Sequence, residues 1–481
     1  MNYKMIFFTV GKVVLIEAGL LLLPLVTALI YQEWWVAASF AITIGIALGV
    51  YLLSRLCFTP KNAIIFSKEG LIIVSLAWLT MSLIGCLPFI ISGEIPSFTD
   101  ALFETVSGFT TTGASVLSNI EILSHGILFW RSFTHWIGGM GVLVFVMAVT
   151  SKNNDRSIHI LRAEMPGPTV DKLVPRARDT AKILYLIYVV LTLMAVVFLW
   201  CGEMTLFESL LHAFGTAGTG GFGIKNNSIG GYGAYSQWVI AVFMFLFGIN
   251  FNLFYLILLG KFKDVFKSGE LWAYFTIVFI AIAVITGNIL ATCNNFGEAL
   301  RLSAFQVTSI ISTSGFTTTN FDLWPTLSKS ILFILMFIGG CAGSTAGGFK
   351  VSRVVLLGKS VKREFRRVLH PRNTSVIKSN GKRVDEQTVS GLMSYLTVYV
   401  ACVIAIFLLI SFEPFGLETN LSATVACFNN VGPGLAGVGP ASNFGAYSCF
   451  SKVVLTFAML LGRLEIYPIL LTLLPRTWLK K

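Results

Sequence analysis

Four short polar segments that end in glycine interrupt the apolar sequence, and their residue types suit the binding of a dehydrated cation. A cation that leaves water needs other oxygen atoms around it, and inward-turned backbone carbonyls provide them where the chain is extended. Glycine permits the backbone angles that such a chain needs. The four segments are Thr111-Thr112-Gly113, Thr219-Gly220-Gly221, Thr313-Ser314-Gly315 and Asn430-Val431-Gly432, called triplets 1 to 4 below.

The triplets belong to a longer internal repeat. DALFETVSGFTTTG, residues 100–113, aligns with ESLLHAFGTAGTGG at a constant offset of 108, and the third and fourth copies align at offsets of 202 and 319. A single glycine-rich segment often serves only helix packing. Four copies in one frame, each after a stretch of half-helix length, favour a selectivity filter built by four units around one pore.

Each triplet resembles the Thr-Val-Gly core of the potassium-channel signature TVGYG. The next residue departs from that signature, because Ala114, Phe222, Phe316 and Pro433 stand where it has tyrosine. We therefore expect a shorter filter with fewer stacked ion sites. Half-helices whose carboxyl ends point at the filter would add negative potential that favours a cation.

The composition is that of a membrane protein. Only 12% of the residues are charged and 55% are hydrophobic, whereas soluble domains average about 25% charged residues. The net charge of +12 does not indicate a nucleic-acid partner, because the basic residues concentrate in alternate loops as the positive-inside rule predicts. The eight cysteines and five histidines lack the spacing of a metal site or a disulfide framework.

Ten apolar segments are long enough to cross a bilayer, which takes about 20 residues each. Loop charges place both termini in the cytoplasm and the four triplets at the outer face, in agreement with an even number of spans. The expected spans are 1–31, 34–58, 71–91, 127–149, 183–201, 238–259, 271–290, 331–357, 391–412 and 453–474.

These features predict an all-α integral membrane protein. Four pseudo-repeated helix–pore-loop–helix units surround one pore, and two helices precede them. The expected divisions are an N-terminal two-helix extension at 1–60 and pore units 1 to 4 at 61–152, 153–262, 263–358 and 359–481.

A glycine-dense segment, IGGCAGSTAGGFK at 338–350, interrupts the span 331–357. Each glycine costs about 1 kcal/mol in a helix interior, so we expect residues 339–348 to form a non-helical loop that occludes the pore. A packing kink is the alternative to a mobile gate. The candidate gating residues here are Gly339, Gly340, Gly343, Gly347, Gly348 and Lys350.

Three charged features lie within or next to the apolar spans, and each has an expected role. Arg463 lies inside the last span with Glu465 nearby; it serves either as an electrostatic barrier below the filter or as half of a buried Arg–Glu pair. Arg131 is expected near the outer membrane edge, where its side chain can snorkel. The basic run 359–372 is expected to touch anionic lipid, with docking of a regulatory subunit as a second use.

Several motifs together resemble the Trk/Ktr/HKT superfamily of potassium transporters over nearly the whole chain. The two extra N-terminal helices favour its TrkH branch over the shorter KtrB proteins. The motifs are SGFTTTGAS, HWIGGMG, TAGTGGF, STSGFTT, IGGCAGSTAGGFK, NNVGPGLAGVG and GRLEIYP.

The resemblance implies a potassium-binding filter, a glycine-rich gating loop and a conserved arginine that matches Arg463. It implies a homodimer in the bacterial inner membrane, with one pore per subunit and a cytosolic TrkA-like ring as regulatory partner. Any nucleotide would bind that ring, so this chain needs potassium and no organic cofactor. Glycine in all four triplets resembles potassium-preferring members.

Three other functions were weighed. One is the channel-like subunit of a potassium-pumping ATPase, which shares the four-loop plan. Another is a sodium/potassium symporter of the same fold. The third is a membrane enzyme acting on lipid or isoprenoid phosphate, which would need a catalytic cluster of intramembrane carboxylates or histidines, and the sequence offers few of these residues. We therefore expect a transporter and no enzyme.

Overall fold

The computed structural model describes residues 1–60, 66–141, 177–371, 376–379 and 382–478. These residues are helical apart from irregular loops and one short antiparallel ladder, in which Lys378–Ser379 pairs with Lys382–Arg383. Three predicted features lie outside the described residues: the end of the span 127–149, the boundary at 152 and Arg372.

The N-terminal extension is a helical hairpin. Its first arm consists of Tyr3–Leu20 and Leu22–Ile30, and its second arm is Trp34–Cys57. The two arms pack against each other, and the first arm also packs on the first helix that follows the hairpin.

The pattern of long helix, half-helix and second long helix then occurs four times. The first helices are Ser67–Gly85 with its continuation Leu87–Ser92, Ala177–Trp200, Gly269–Ile289 and Glu386–Ile410. Half-helices 1 to 4 are Phe98–Phe109, Leu206–Gly218, Phe296–Ile311 and Leu417–Phe428.

The last helix of each unit, called its inner helix, follows the triplet. The inner helices are His125–Gly139, Ala234–Phe247 with Phe251–Leu258, Thr326–Ile338 with Val351–Leu369, and Cys449–Arg463 with Tyr467–Leu473. Short connecting helices are Phe262–Phe266, Leu290–Thr292, Phe321–Leu323, Ala436–Val438 and Pro475–Trp478.

Six helices of the described chain are long and apolar enough to cross a bilayer, and the pair Ala234–Phe247 and Phe251–Leu258, bent by 91°, makes a seventh. The sequence predicts ten spans. The other three predicted spans fall on the inner helices of units 1, 3 and 4, whose first described helices have 15, 13 and 15 residues. The inner helices of units 3 and 4 are interrupted at residues 339–350 and 464–466, and the described part of the inner helix of unit 1 stops at residue 141.

Local sequence fixes where three of the half-helices begin. Ser97, Thr205 and Asn295 each accept a hydrogen bond from the backbone N–H three residues later, which satisfies a donor that the helix itself leaves free. An acidic residue in the first turn follows each cap and is favoured by the positive end of the helix dipole. Half-helix 4 begins after Gly416 without a side-chain cap.

Candidate functional site

All four half-helices end in the same way, directly before their triplet. The first residue of each triplet has a left-handed backbone, with φ of 57° at Thr111, 57° at Thr219, 56° at Thr313 and 55° at Asn430. The N–H of the second residue donates to a carbonyl five residues earlier, at 2.8–2.9 Å in all four copies. This arrangement is the usual hydrogen-bond pattern of a left-handed helix end, and it turns each chain out of its helix at the same angle.

Three of the four left-handed residues are of a type that rarely adopts this backbone conformation. Helices usually place glycine there, whereas three of the four triplets place threonine, whose β-branch makes a positive φ uncommon. Such a residue costs about 1–3 kcal/mol and persists only where its surroundings hold it. Strain repeated at three corresponding positions, with asparagine at the fourth, indicates a functional site.

The third residues show that the triplets form a closed ring in chain order. A Cβ placed on Gly113 would lie 2.6 Å from the N of Gly221, and one on Gly221 would lie 2.6 Å from the O of Ser314. One on Gly315 would lie 2.2 Å from the O of Val431. One on Gly432 would lie 2.6 Å from the O of Thr112, which returns to the first triplet.

Glycine is therefore required in the ring for two reasons. Gly113, Gly315 and Gly432 have φ of 77°, 80° and 98°, which glycine adopts without penalty. The φ of Gly221 is not in this range, and this residue is needed because the neighbouring backbone leaves no space for a side chain. The sequence predicted the first reason and not the second.

The ring opens on one side to a cavity of about 200 Å³, which all four of these glycines line. A side-chain bond joins the last triplet to the first, since Asn430 Nδ2 donates to Thr112 Oγ1 at 3.0 Å. Thr313 and Asn430, the first residues of triplets 3 and 4, contact Gly347, which lines a different cavity; this side of the ring is called the lower side below. An ion that crosses the ring from the cavity would thus meet the backbone of all four units.

The predicted interruption of the third inner helix is present. The helix ends at Ile338 and resumes at Val351, and residues 339–350, called the gate loop below, are non-helical. Its ends are joined by hydrogen bonds from Phe349 N to Phe337 O at 3.1 Å and from Lys350 N to Ile338 O at 2.8 Å. The prediction of a non-helical loop is confirmed.

The gate loop lies against the lower side of the ring. Gly347 N donates to Thr313 Oγ1 at 2.6 Å, and a Cβ on Gly347 would lie 2.7 Å from the O of Asn429. The loop also adjoins the break in the second inner helix, because Cys341 N donates to Gly248 O at 2.9 Å and Phe251 N donates to Gly343 O at 3.0 Å.

The other loop glycines let the chain fold back on itself. Gly339 and Gly348 have φ of 71° and 75°, and a Cβ on Gly348 would lie 2.9 Å from the Cα of Gly339. A Cβ on Gly340 would lie 2.6 Å from that of Ala346. These close approaches make the loop compact enough to fit under the ring.

Arg463 and Lys350 place two cationic side chains beside the gate loop. Arg463 donates to Thr345 O at 2.9 Å and, at the end of the first inner helix, to Gly138 O at 2.5 Å and Gly139 O at 2.8 Å. Lys350 is 2% exposed and donates to Ala346 O. Both residues line a small cavity of about 50 Å³ below the ring. The predicted proximity of Arg463 to the loop is confirmed.

A partly buried ion pair lies near the gate loop. Glu465 Oε2 is 2.5 Å from Arg353 NH2, and the Arg353 guanidinium lies 4.3 Å from the ring centroid of Tyr395. Glu465 and Ile466 have φ of 58° and 65° and form the break in the fourth inner helix. The acidic residue that the sequence placed near Arg463 therefore binds the helix after the gate loop.

The expectation that the Arg131 side chain snorkels is wrong. Its side chain is 2% exposed and does not snorkel, because its Nε lies 2.6 Å from Oε1 of the fully buried Glu104. Glu104 is in half-helix 1, and this ion pair lies directly behind triplets 1 and 2. The repeat alignment held a signal, since residue 104 corresponds to His212 and Gln306, so three copies carry a polar side chain at one helix position.

Comparison with known proteins agrees with this architecture. The TrkH family model, described as cation transport protein, matches residues 38–270 and 265–478. Trk system potassium uptake proteins TrkH from Salmonella typhimurium and Escherichia coli K12 are each 35% identical to this chain, over 99% of it and all of the relative.

A solved structure shows that the likeness extends to the fold. The crystal structure of the potassium transporter TrkH from Vibrio parahaemolyticus superposes with a TM-score of 0.90 at 32% identity, and the match covers all of both chains. The all-helical fold with four half-helices is therefore that of a known membrane transporter. The chain belongs to the TrkH family of cation transport proteins.

Proposed function

We propose that this chain takes up potassium ions across the bacterial inner membrane, and that it is a transporter and no enzyme. The observation that carries the proposal is the closed ring of triplets 1 to 4, in which each glycine faces the backbone of the next triplet. Backbone carbonyls of the twelve triplet residues would replace the hydration shell of the ion. The names of the relatives, which are potassium uptake proteins, support potassium as the ion.

The half-helices add an electrostatic contribution to this proposal. Each ends at the ring, so the partial negative charge at its carboxyl end lies next to the proposed ion path. Four such ends around one axis favour a cation over an anion at the ring centre. Carbonyl spacing would then distinguish one cation from another.

The gate loop and Arg463 would control passage below the ring. An ion that leaves the filter meets the loop first, because Gly347 bonds to triplet 3. It then meets Arg463, whose charge repels a cation strongly wherever water is excluded. Passage thus requires the loop and the arginine to move aside together, and their bond through Thr345 O provides that link.

The assembly around this chain is also a proposal. We place the two termini in the cytoplasm and divide the chain into an extension at 1–60 and four pore units, as in the sequence. We propose a homodimer that a cytosolic TrkA-like subunit regulates. The basic helix Val351–Leu369 continues directly from the gate loop and would transmit a cytoplasmic signal to it.

Uptake by a host that lacks its own potassium transporters tests the proposal. Cells that express the chain with a TrkA-like partner should grow at low potassium and accumulate K⁺ in preference to Na⁺, and removal of the partner should lower uptake. Equal uptake of both ions would contradict the filter assignment. Uptake of K⁺ that requires Na⁺ in a fixed ratio would show a sodium/potassium symporter.

A further inference from the structure

The Glu104–Arg131 ion pair connects the backs of two adjacent triplets. Glu104 accepts hydrogen bonds from Ser115 Oγ and Val116 N, both at 3.0 Å, and these residues lie two and three positions after triplet 1. Arg131 NH1 donates to Gly223 O at 2.9 Å, two residues after triplet 2. One charged pair thereby holds the outer continuation of both chains.

Arg131 has a second contact with the continuation of triplet 2. Its guanidinium carbon lies 3.7 Å from the ring centroid of Phe222, a distance at which a cation and an aromatic face attract each other. Phe222 directly follows Gly221 and is 1% exposed. The position of Gly221 in the ring therefore depends on where this guanidinium lies.

At the position aligned with Glu104, the other half-helices carry no charged residue. Residues aligned with Glu104 are His212, Gln306 and Ala423. His212 Nε2 lies 3.3 Å from Tyr232 OH, and Gln306 Nε2 donates to Thr318 Oγ1 at 3.3 Å. Neutral contacts thus occupy the positions where unit 1 has a charge-assisted bond, and such bonds are shorter and about twice as strong as neutral ones.

Burial makes the pair sensitive to any change in one partner. Glu104 is 0% exposed and Arg131 is 2% exposed, and removal of one member leaves the other charge buried without compensation. Arg131 also lines the outer cavity of about 200 Å³ that all four triplet glycines border. Its charge would repel an arriving cation if the carboxylate of Glu104 did not neutralise it.

We propose that the Glu104–Arg131 pair is a positioning pair for ion selectivity, which sets the spacing between triplets 1 and 2 and neutralises the outer cavity beside them. This inference rests on the proposed role of the triplets as the filter. Neither residue touches the ion. Each acts through the backbone that follows its triplet.

The ratio of K⁺ to Na⁺ permeability of purified protein in liposomes tests the inference. Glu104→Gln keeps the shape of the side chain and removes its charge, and it should lower the ratio by at least about fivefold, as expected from the loss of one charge-assisted bond. Arg131→Lys keeps the charge and should retain more of the ratio than Arg131→Gln.

The double variant Glu104→Gln/Arg131→Gln guards against failure to fold. It leaves no buried charge without a partner, so it should unfold at a higher temperature than either single Gln variant. It still lacks the bond to Gly223 O, so its permeability ratio should stay low. A double variant no less selective than the single ones indicates that the two residues act as one unit.

Asp100→Asn is the matched control. It breaks the ion pair between Lys452 Nζ and Asp100 Oδ1, also 2.6 Å long, in the same half-helix as Glu104 but away from the residues that follow the triplets. Its permeability ratio should equal that of the parent. A loss of selectivity as large as that of Glu104→Gln would overturn the positioning role.

Gly113→Ser separates this inference from the proposed function. Suppose that Gly113→Ser lowers the permeability ratio while all Glu104 and Arg131 variants keep it within about twofold of the parent, which is well below the 1.4 kcal/mol of a tenfold change. The pair then has only a structural role, and the assignment of the triplets as the filter is retained. If Gly113→Ser also leaves the ratio unchanged, the filter assignment fails and the inference fails with it.

Discussion

The ring of triplets and the layer of helix breaks below it differ in symmetry. In the ring, the four left-handed residues have φ within 55–57° and the helix ends share one hydrogen-bond pattern. Below it, the breaks are unequal. The second inner helix breaks over residues 248–250, the third over 339–350 and the fourth over 464–466.

This difference separates two tasks. An ion at the centre of a ring needs similar ligands from all sides, so selection favours near-equal copies. A gate needs a movable segment, and one long loop from one unit suffices. Changes in the ring should therefore alter which ion passes, and changes below it should alter how much passes.

The largest effect is expected in the ring. In Gly315→Ser, the Cβ would lie 2.2 Å from Val431 O at a φ of 80°, so triplets 3 and 4 must separate. Potassium uptake should fall about tenfold or more, and selectivity over sodium should fall with it. Gly287→Ser, at a helix position with nothing within 4 Å of the added Cβ, should change neither quantity.

Loss of the proposed barrier below the ring should increase potassium flux instead of lowering it. Arg463→Ala removes the bonds to Thr345, Gly138 and Gly139 and a positive charge beside the ion path, so potassium flux should rise several-fold with unchanged K⁺/Na⁺ preference. Deletion of part of the gate loop should do the same. Flux through liposomes measures both.

Arg55→Ala is the control for Arg463→Ala, because this arginine is exposed in the last turn of Trp34–Cys57, in the N-terminal hairpin and outside the pore units. It should leave flux unchanged. If flux stays flat or drops in both Arg463→Ala and the loop deletion, with normal expression and assembly, the loop serves packing and does not gate.

A smaller effect is expected where the ring closes. Thr112→Val removes the hydroxyl that accepts from Asn430 Nδ2 while the side-chain shape is kept. Asn430 Nδ2 still donates to Met459 O at 2.9 Å, so the free energy of unfolding should fall by about 0.5–1.5 kcal/mol. A lower unfolding temperature with a modest loss of selectivity would show that this hydrogen bond helps to close the ring. If neither quantity changes, packing alone holds triplets 4 and 1 together.

The smallest effect is expected at the first turn of half-helix 1, away from the ring. The Lys452–Asp100 pair joins the fourth inner helix to half-helix 1, with side chains 8% and 27% exposed. Because water reaches Asp100, Asp100→Asn should cost about 1 kcal/mol or less, and the loss should shrink as salt is added. Thermal unfolding at two ionic strengths measures this effect. A loss of several kcal/mol in the free energy of unfolding would show that water does not reach the ion pair.

Local sequence signals predicted the parts of the molecule that depend on local chemistry. The half-helices were predicted from the stretch of half-helix length before each triplet, and the triplets from a repeat whose copies keep one frame. The interruption at 339–348 follows from five glycines in one segment. The stretches and the glycines lie within the segments that they specify, whereas the repeat is recognised by comparing copies 108 to 319 residues apart.

Contacts between distant segments could not be predicted in this way. Arg131 was expected to snorkel because a hydropathy profile considers only residues adjacent in sequence. Its partner Glu104 lies on another helix, 27 residues earlier. The need for glycine at position 221 comes from the backbone of triplet 3. The fourth inner helix breaks at Glu465 and Ile466, which carry no glycine that would have marked the break.

The central claim is that four equivalent triplets select potassium, and the K⁺/Na⁺ permeability ratio of Gly113→Ser in liposomes tests it most directly. The added Cβ would lie 2.6 Å from Gly221 N and push two triplets apart, so we predict a folded protein that still conducts and whose preference for potassium has fallen markedly. A folded Gly113→Ser protein with the selectivity of the parent would contradict the claim.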